Sequence, residues 1–174
     1  GLARPWLDAW TAGEVERPAI DWAAATLAEA ELMAETALNI VRERKWAYAH
    51  LRMQEDSSLL PLSEDIPQIT IVLDEGKAAT GDTAGRDKVR LAALLLALQE
   101  EGRNEGGNIV RSNLRPTGGA IGGVDVRVQS DILIMMQPKD EEIGKLFDHA
   151  RGVRAQDAPW QGTGLISIRG SHPR

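Results

Sequence analysis

Residues 69–73 read Ile-Thr-Ile-Val-Leu, preceded by Pro67-Gln68 and followed at once by Asp74-Glu75. A short, unbroken run of apolar and β-branched residues fits a strand buried on both faces, as in parallel sheets. Parallel neighbours cannot be joined by a tight hairpin and need a crossover of a dozen or more residues, usually a helix. This one run therefore asks for helix-forming sequence on either side, and the chain supplies it.

Upstream, Thr26-Leu-Ala-Glu29 spells a capping box, in which Thr26 accepts from a first-turn N–H and Glu29 reaches back. A long helix is expected over 26–52. Leu27, Ala30, Ala34, Ala37, Val41 and Tyr48 fall near one stripe, and Arg42, Arg44, Lys45 and Arg52 place positive charge late, which suits the helix dipole. Residues 1–25 hold Trp6, Trp10 and Trp22 with two prolines and little periodicity, and read as an ordered loop anchored by its tryptophans. Residues 53–66 are a polar connection and 76–87 a loop rich in Gly, Asp and Thr. Lys88–Arg103 reads as a second helix, ended by Gly106-Gly107. Strands are expected at 108–113, 132–136 and 164–168, with a glycine-rich loop over 116–124 and a short helix over 140–150. Helix and strand alternate throughout, so the expected class is α/β with a mostly parallel sheet flanked by helices.

The bulk numbers bound the function. The 174 residues suit a single domain, with 43% hydrophobic and 26% charged residues. No apolar run is long enough to span a bilayer, and no signal-peptide pattern is present. Zero cysteines exclude disulfides and thiolate metal sites and fit a cytoplasmic chain. The three histidines, His50, His149 and His172, have no ligand spacing, which argues against zinc. The net charge of −6 offers no broad basic face for nucleic acid, so contact with DNA would come from local Lys/Arg residues or from an assembly.

The chemistry-bearing candidates are few. Ligands of open parallel sheets bind outside the carboxyl ends of the strands. There Asp74 could hold Mg²⁺ through water, and Glu75 could orient or deprotonate an attacking water. The competing reading of Asp-Glu after a strand is a solvated turn. Gly-Gly-Ala-Ile-Gly-Gly (118–123) lacks both phosphate-loop spellings and reads as a mobile loop. Gly76-Lys77 is followed by Ala78, and the earlier glycine is replaced by Ile71, so it is no phosphate loop either. Arg103 and Arg115 each have a plain reading as surface arginines, Asn113 as a turn cap, and the tryptophans as packing anchors.

Five segments in one order carry a resemblance: "PQITIVLDE", "LALQEEGRNEGGNIV", "RSNLRPT", "VQSDILIMMQPKDEEIGKLF" and "GTGLISI". Their order and spacing from about 67 to 168 resemble the later half of the FtsK/SpoIIIE-type DNA translocase motor. In that family an apolar strand ends in Asp-Glu, an Arg precedes "GIH", a strand ends near "ATQRP", and a "G-x-G-x-x-L" strand comes later. The opening "GLARPWLDAW" resembles the segment just downstream of the strand after the phosphate loop in plasmid-transfer members, so the resemblance covers nearly the whole chain.

The resemblance implies a single partial RecA-like P-loop NTPase domain over 1–174, its N-terminal part with the phosphate loop lying upstream of Gly1. Asp74 then matches the Mg²⁺ carboxylate and Glu75 the catalytic one. Arg103 matches an arginine that reaches a neighbouring subunit's nucleotide. Arg115 matches the arginine of "QRP", and Asn113 stands beside Leu114, which replaces the sensing Gln and cannot sense a γ-phosphate. The implied cofactors are ATP and Mg²⁺. The implied partners are double-stranded DNA and further copies in a hexameric ring, with membrane contact through a separate region. The chain alone is expected to be inactive and to self-associate through uncovered strands. The alternative is a non-catalytic interaction module that keeps the motor fold, and a third reading is an unrelated small α/β binding domain.

Overall fold

The computed structural model describes residues 20–74, 89–116 and 124–174. In chain order these form α1 (Leu27–Ala47), α2 (Ala49–Gln54), β1 (Ile69–Leu73), α3 (Val89–Gly102), a 3-10 turn (Arg103–Glu105) and β2 (Gly107–Arg111). Then come α4 (Val124–Val128), β3 (Ile132–Met136), α5 (Asp140–Leu146), a second 3-10 turn (Ala155–Asp157) and β4 (Gly164–Ile168). Contacts divide the chain into two compact units, Gly1–Thr70 with Lys88–Asn108, and Ile71–Asp87 with Ile109–Arg174. The class is mixed α/β.

In the first unit, Thr26 Oγ1 accepts from the Glu29 N–H at 3.2 Å, and the Glu29 carboxylate accepts from the Thr26 and Ala25 N–H groups at 3.0 and 2.7 Å. That reciprocal cap satisfies donors the first turn leaves without intrahelical partners. Ala34, Ala37, Leu38 and Val41 form the buried face of α1, and α3 brings Leu91, Leu95, Leu98 and Gly102 against it. Small alanines opposite branched leucines let two helices approach closely. Arg90 at the start of α3 pairs with Glu31 and Glu35 at 3.4 and 3.0 Å, while Glu101 at its end takes Arg42 at 2.6 Å. Early residues meet early and late meet late, so α1 and α3 run parallel.

The helix expected over 26–52 is two helices. Tyr48 leaves helical geometry at φ −109°, ψ 17°, and the chain resumes as α2. At this break Arg52 Nη2 donates to the Lys45 carbonyl, the acceptor that Ala49 N–H takes in an unbroken helix. The arginines expected merely to complement the dipole thus hold specific partners. Arg44 Nη1 reaches the Glu105 carbonyl at 3.2 Å, and Arg52 Nη1 the Glu105 carboxylate.

β1 and β2 pair in parallel. Ile69 N–H donates to Gly106 O at 2.8 Å and Ser112 N–H to Leu73 O at 3.0 Å, so both strands advance together. α3 provides the helix of the crossover that this geometry requires. β3 and β4, however, pair antiparallel, with Ile132 opposite Ile168, Ile134 opposite Ile166 and Met136 opposite Gly164. The expectation of a mostly parallel sheet is therefore corrected for this pair. Apolar runs mark strands but do not encode direction, and the intervening α5 with its following turns returns the chain in the opposite sense.

Burial of the strands also departs from expectation. Ile71 is buried while Val72 is 70% exposed, and along β3 Met135 is buried while Ile132, Ile134 and Met136 stand exposed. Each run reads as buried on both faces, yet only one face is covered among the described residues. The second strand ends at Arg111, so Asn113 lies past it. Trp22 is 42% exposed, and Trp6 and Trp10 lie outside the described residues, as do the loop over 117–123 and most of the loop after β1. The second unit's core is built on Ile71, Val126, Met135, Ile143, Leu146, Phe147 and Leu165. No described helix is long and apolar enough to cross a membrane.

Candidate functional site

The two parallel strands are each five residues long and in near-level register, so the residues just past their carboxyl ends become neighbours. After β1 comes Asp74, in a turn and exposed. After β2 comes Ser112, whose N–H is fixed by the Leu73 carbonyl. The Ser112 hydroxyl donates to Asp74 Oδ1 at 2.8 Å. A carboxylate is thereby held at the carboxyl end of a parallel pair, where open sheets bind ligands. Glu75 lies outside the described residues.

Beyond Ser112 the chain turns away from strand geometry. Asn113 is half-buried, and its Oδ1 is shielded from solvent with no hydrogen-bond partner among the described residues. Leu114 is 87% exposed, and Arg115 is exposed beside it. Arg111, the last residue of β2, is partly buried, and desolvation pushes its guanidinium below the ordinary arginine value. Asp74, Ser112, Asn113 and Arg115 all belong to the second unit, where Ser112 bonds Asp74.

Arg103 belongs to the first unit, where it opens the 3-10 turn and is exposed. The turn is anchored from three directions. Asn104 O accepts from Leu60 N–H at 2.8 Å, Glu105 O from Arg44, and Gly106 O from Ile69 N–H at 2.8 Å. Gly106 closes it in the left-handed region at φ 76°, which costs glycine no steric penalty. Arg103 is therefore displayed on a fixed piece of backbone.

A divalent ion would find no protein cage here. Among the described residues no three His, Cys, Asp or Glu side chains gather. Mg²⁺ needs less, because it keeps several waters and binds through one or two carboxylates together with substrate phosphates. An exposed carboxylate with one donated hydrogen bond and acceptor sites to spare fits that donor set. An open groove of about 330 Å³ beside α5, lined by Asp140, Phe147, Arg151 and Arg154 among others, lies elsewhere on the chain. Its Asp140 is already used, since Oδ1 accepts from Ala155 N–H at 2.7 Å.

Asp74, Glu75, Asn113, Arg115 and Arg103 stand out in the sequence as candidates, and Ser112 does not. The signal was present. Two parallel strands of equal length put their first following residues side by side, and a hydroxyl there meets whatever carboxylate stands opposite.

No family model matches the chain, and no curated protein matches it. Among solved structures, its fold is similar to that of the pCW3 conjugation coupling protein TcpA, in its monomer form with ATPγS, at a TM-score of 0.62 and 13% identity. The likeness covers 85% of this chain and 43% of that one, so this chain spans less than half of the neighbour's length.

Proposed function

We propose that the chain is part of an ATP-driven motor that moves double-stranded DNA, of the FtsK/SpoIIIE type and its plasmid-transfer branch. The observation that carries this reading is the exposed Asp74 carboxylate, held at the carboxyl end of one strand of a parallel pair by Ser112 of the other. The fold likeness to a conjugation coupling protein supports it. On this reading the domain is a RecA-like core. Mg-ATP supplies the transferable γ-phosphoryl group and the cation that neutralises its charge. Asp74 orients the cation's water shell, and Glu75 positions and deprotonates the attacking water. Asn113 and Arg115 lie where the nucleotide state is sensed. Arg103, displayed on its anchored turn, serves the nucleotide of an adjacent copy in a hexameric ring, where arginine stabilises developing phosphoryl charge.

The 174 residues contain no G-x-x-x-x-G-K-[ST] spelling, so the phosphate loop is supplied by another part of the motor. The prediction is direct: purified 1–174 has no ATPase activity above background. A clear turnover rate from it contradicts the assignment of the loop elsewhere. A second reading, a non-catalytic module that keeps the motor fold, draws on Leu114, which occupies the sensing position as an 87% exposed hydrocarbon side chain. It predicts an intact protein with no phosphate-loop spelling, which binds its partners without binding or hydrolysing ATP.

A further inference from the structure

We infer that Ser112, just past the end of the neighbouring strand, is the positioning residue for the Asp74 carboxylate. The inference rests on the reading of Asp74 as the Mg²⁺ carboxylate.

Backbone pairing comes first. Ser112 N–H is bound to Leu73 O at 3.0 Å, which fixes the Ser112 backbone against the residue immediately before Asp74. The hydroxyl then donates to Asp74 Oδ1 at 2.8 Å across 38 residues of sequence, so the backbone and side chain of one residue hold two consecutive residues, Leu73 and Asp74. An exposed aspartate on a turn otherwise samples several rotamers, and fixing one of them before an ion arrives removes that ordering cost from binding. Partners that orient a metal-binding carboxylate in this way typically contribute about 10- to 100-fold in metal affinity.

The following residues cannot do the same. Leu114 has no polar atom and points into solvent, being 87% exposed. Among the described residues Asn113 Oδ1 has no hydrogen-bond partner, whereas Ser112 makes its bond to Asp74. Ser112 also belongs to the segment just past β2 that continues directly into Asn113 and Arg115.

The test uses the intact protein carrying its phosphate loop and reads equilibrium binding of a fluorescent ATP analogue against Mg²⁺ concentration, without turnover. Ser112→Thr keeps the hydroxyl and Ser112→Val removes it at nearly the same volume, so the pair separates hydrogen bonding from packing. Ser112→Thr is expected to match wild type. Ser112→Val is expected to raise the Mg²⁺ needed for half-maximal binding about ten-fold, with an unchanged melting temperature. Asp74→Asn is expected to abolish the Mg²⁺ dependence. If Ser112→Val binds as wild type while Asp74→Asn does not, the inference is overturned and the Mg²⁺ reading stands. If Asp74→Asn itself keeps the wild-type Mg²⁺ dependence, the reading of Asp74 fails and the inference falls with it.

Discussion

Arg52, on the short second helix, closes an ion pair on the carboxylate of Glu105, and both side chains are largely withdrawn from solvent, at 14% and 7% exposure. Glu105 is the last residue of the turn that Arg103 opens, so this pair anchors the platform as well as the fold. Removing one partner leaves a charge buried without compensation. Arg52→Ala is expected to destabilise the chain by about 3 kcal/mol, read by urea denaturation. A loss below 1 kcal/mol, the size of an exposed pair, would show that water reaches Glu105 freely.

The interface between the two parallel helices is the chain's best-packed region. Leu98 is fully buried and Leu95 nearly so, against Ala34, Ala37 and Val41. Leu98→Ala should cost about 3 kcal/mol through lost transfer energy and the cavity left behind. Leu59→Ala, at a residue 56% exposed, should stay within about 0.5 kcal/mol. Comparable losses at both sites would contradict the assignment of the core.

Acid dependence arises from the pair that closes the far end of this interface. Arg42 donates to both carboxylate oxygens of Glu101, at 2.8 and 2.6 Å, and this hydrogen bonding holds the Glu101 carboxyl below its ordinary value. A carboxyl whose folded pKa is depressed adds stability above its unfolded pKa, about 4.3, and loses it as pH falls through the lower folded value. Both side chains are well exposed, at 53% and 40%, so the effect is small. Thermal melts of wild type and Glu101→Gln should differ near neutrality and converge as pH falls through the lowered folded value of Glu101. A gap that widens on acidification has the wrong sign for this pairing.

Gly106 combines a left-handed backbone, φ 76°, with a Cβ position only 2.6 Å from Leu62 Cδ2. Gly106→Ala should cost roughly 1–3 kcal/mol. Leu62 is partly exposed and can yield, so the backbone strain is the part that persists in a Gly106→Ala, Leu62→Ala double variant. Full rescue by Leu62→Ala would assign the cost to the clash alone.

The legibility of this chain divides along physical lines. Local chemistry was readable: the Thr26 and Glu29 side chains reciprocate as their spacing requires, and the helical stripe of Ala34, Ala37 and Val41 is the face that packs. Direction and coverage were not. Ile132–Met136 has the composition of a doubly buried strand, yet it pairs antiparallel and leaves Ile134 exposed, because an apolar run states only what it can tolerate. Of the candidate site, Asp74 was visible from its place after β1, whereas Ser112 became visible only when the register placed its hydroxyl opposite. Arg103 reads as a helix-end arginine and stands instead on the 3-10 turn that follows α3, which Gly106 closes in the left-handed region.

The same uncovered strands predict association. Ile132, Ile134 and Met136 are each more than half exposed on one face of β3. Contiguous exposed apolar surface on strands invites pairing with other chains. Purified 1–174 is expected to form oligomers in light scattering, and Ile132→Thr with Ile134→Thr to reduce them at little cost in stability. A monodisperse monomer from the unaltered chain runs against this.

The central claim, that Asp74 serves ATP hydrolysis coupled to DNA, is tested most directly by one comparison. The intact protein and its Asp74→Asn variant are assayed for ATP hydrolysis with and without double-stranded DNA. The expected result is DNA-stimulated hydrolysis in the wild type and a loss of at least about 100-fold in the variant, the scale of removing electrostatic support from a phosphoryl transition state. Undiminished, DNA-stimulated hydrolysis by Asp74→Asn would contradict it.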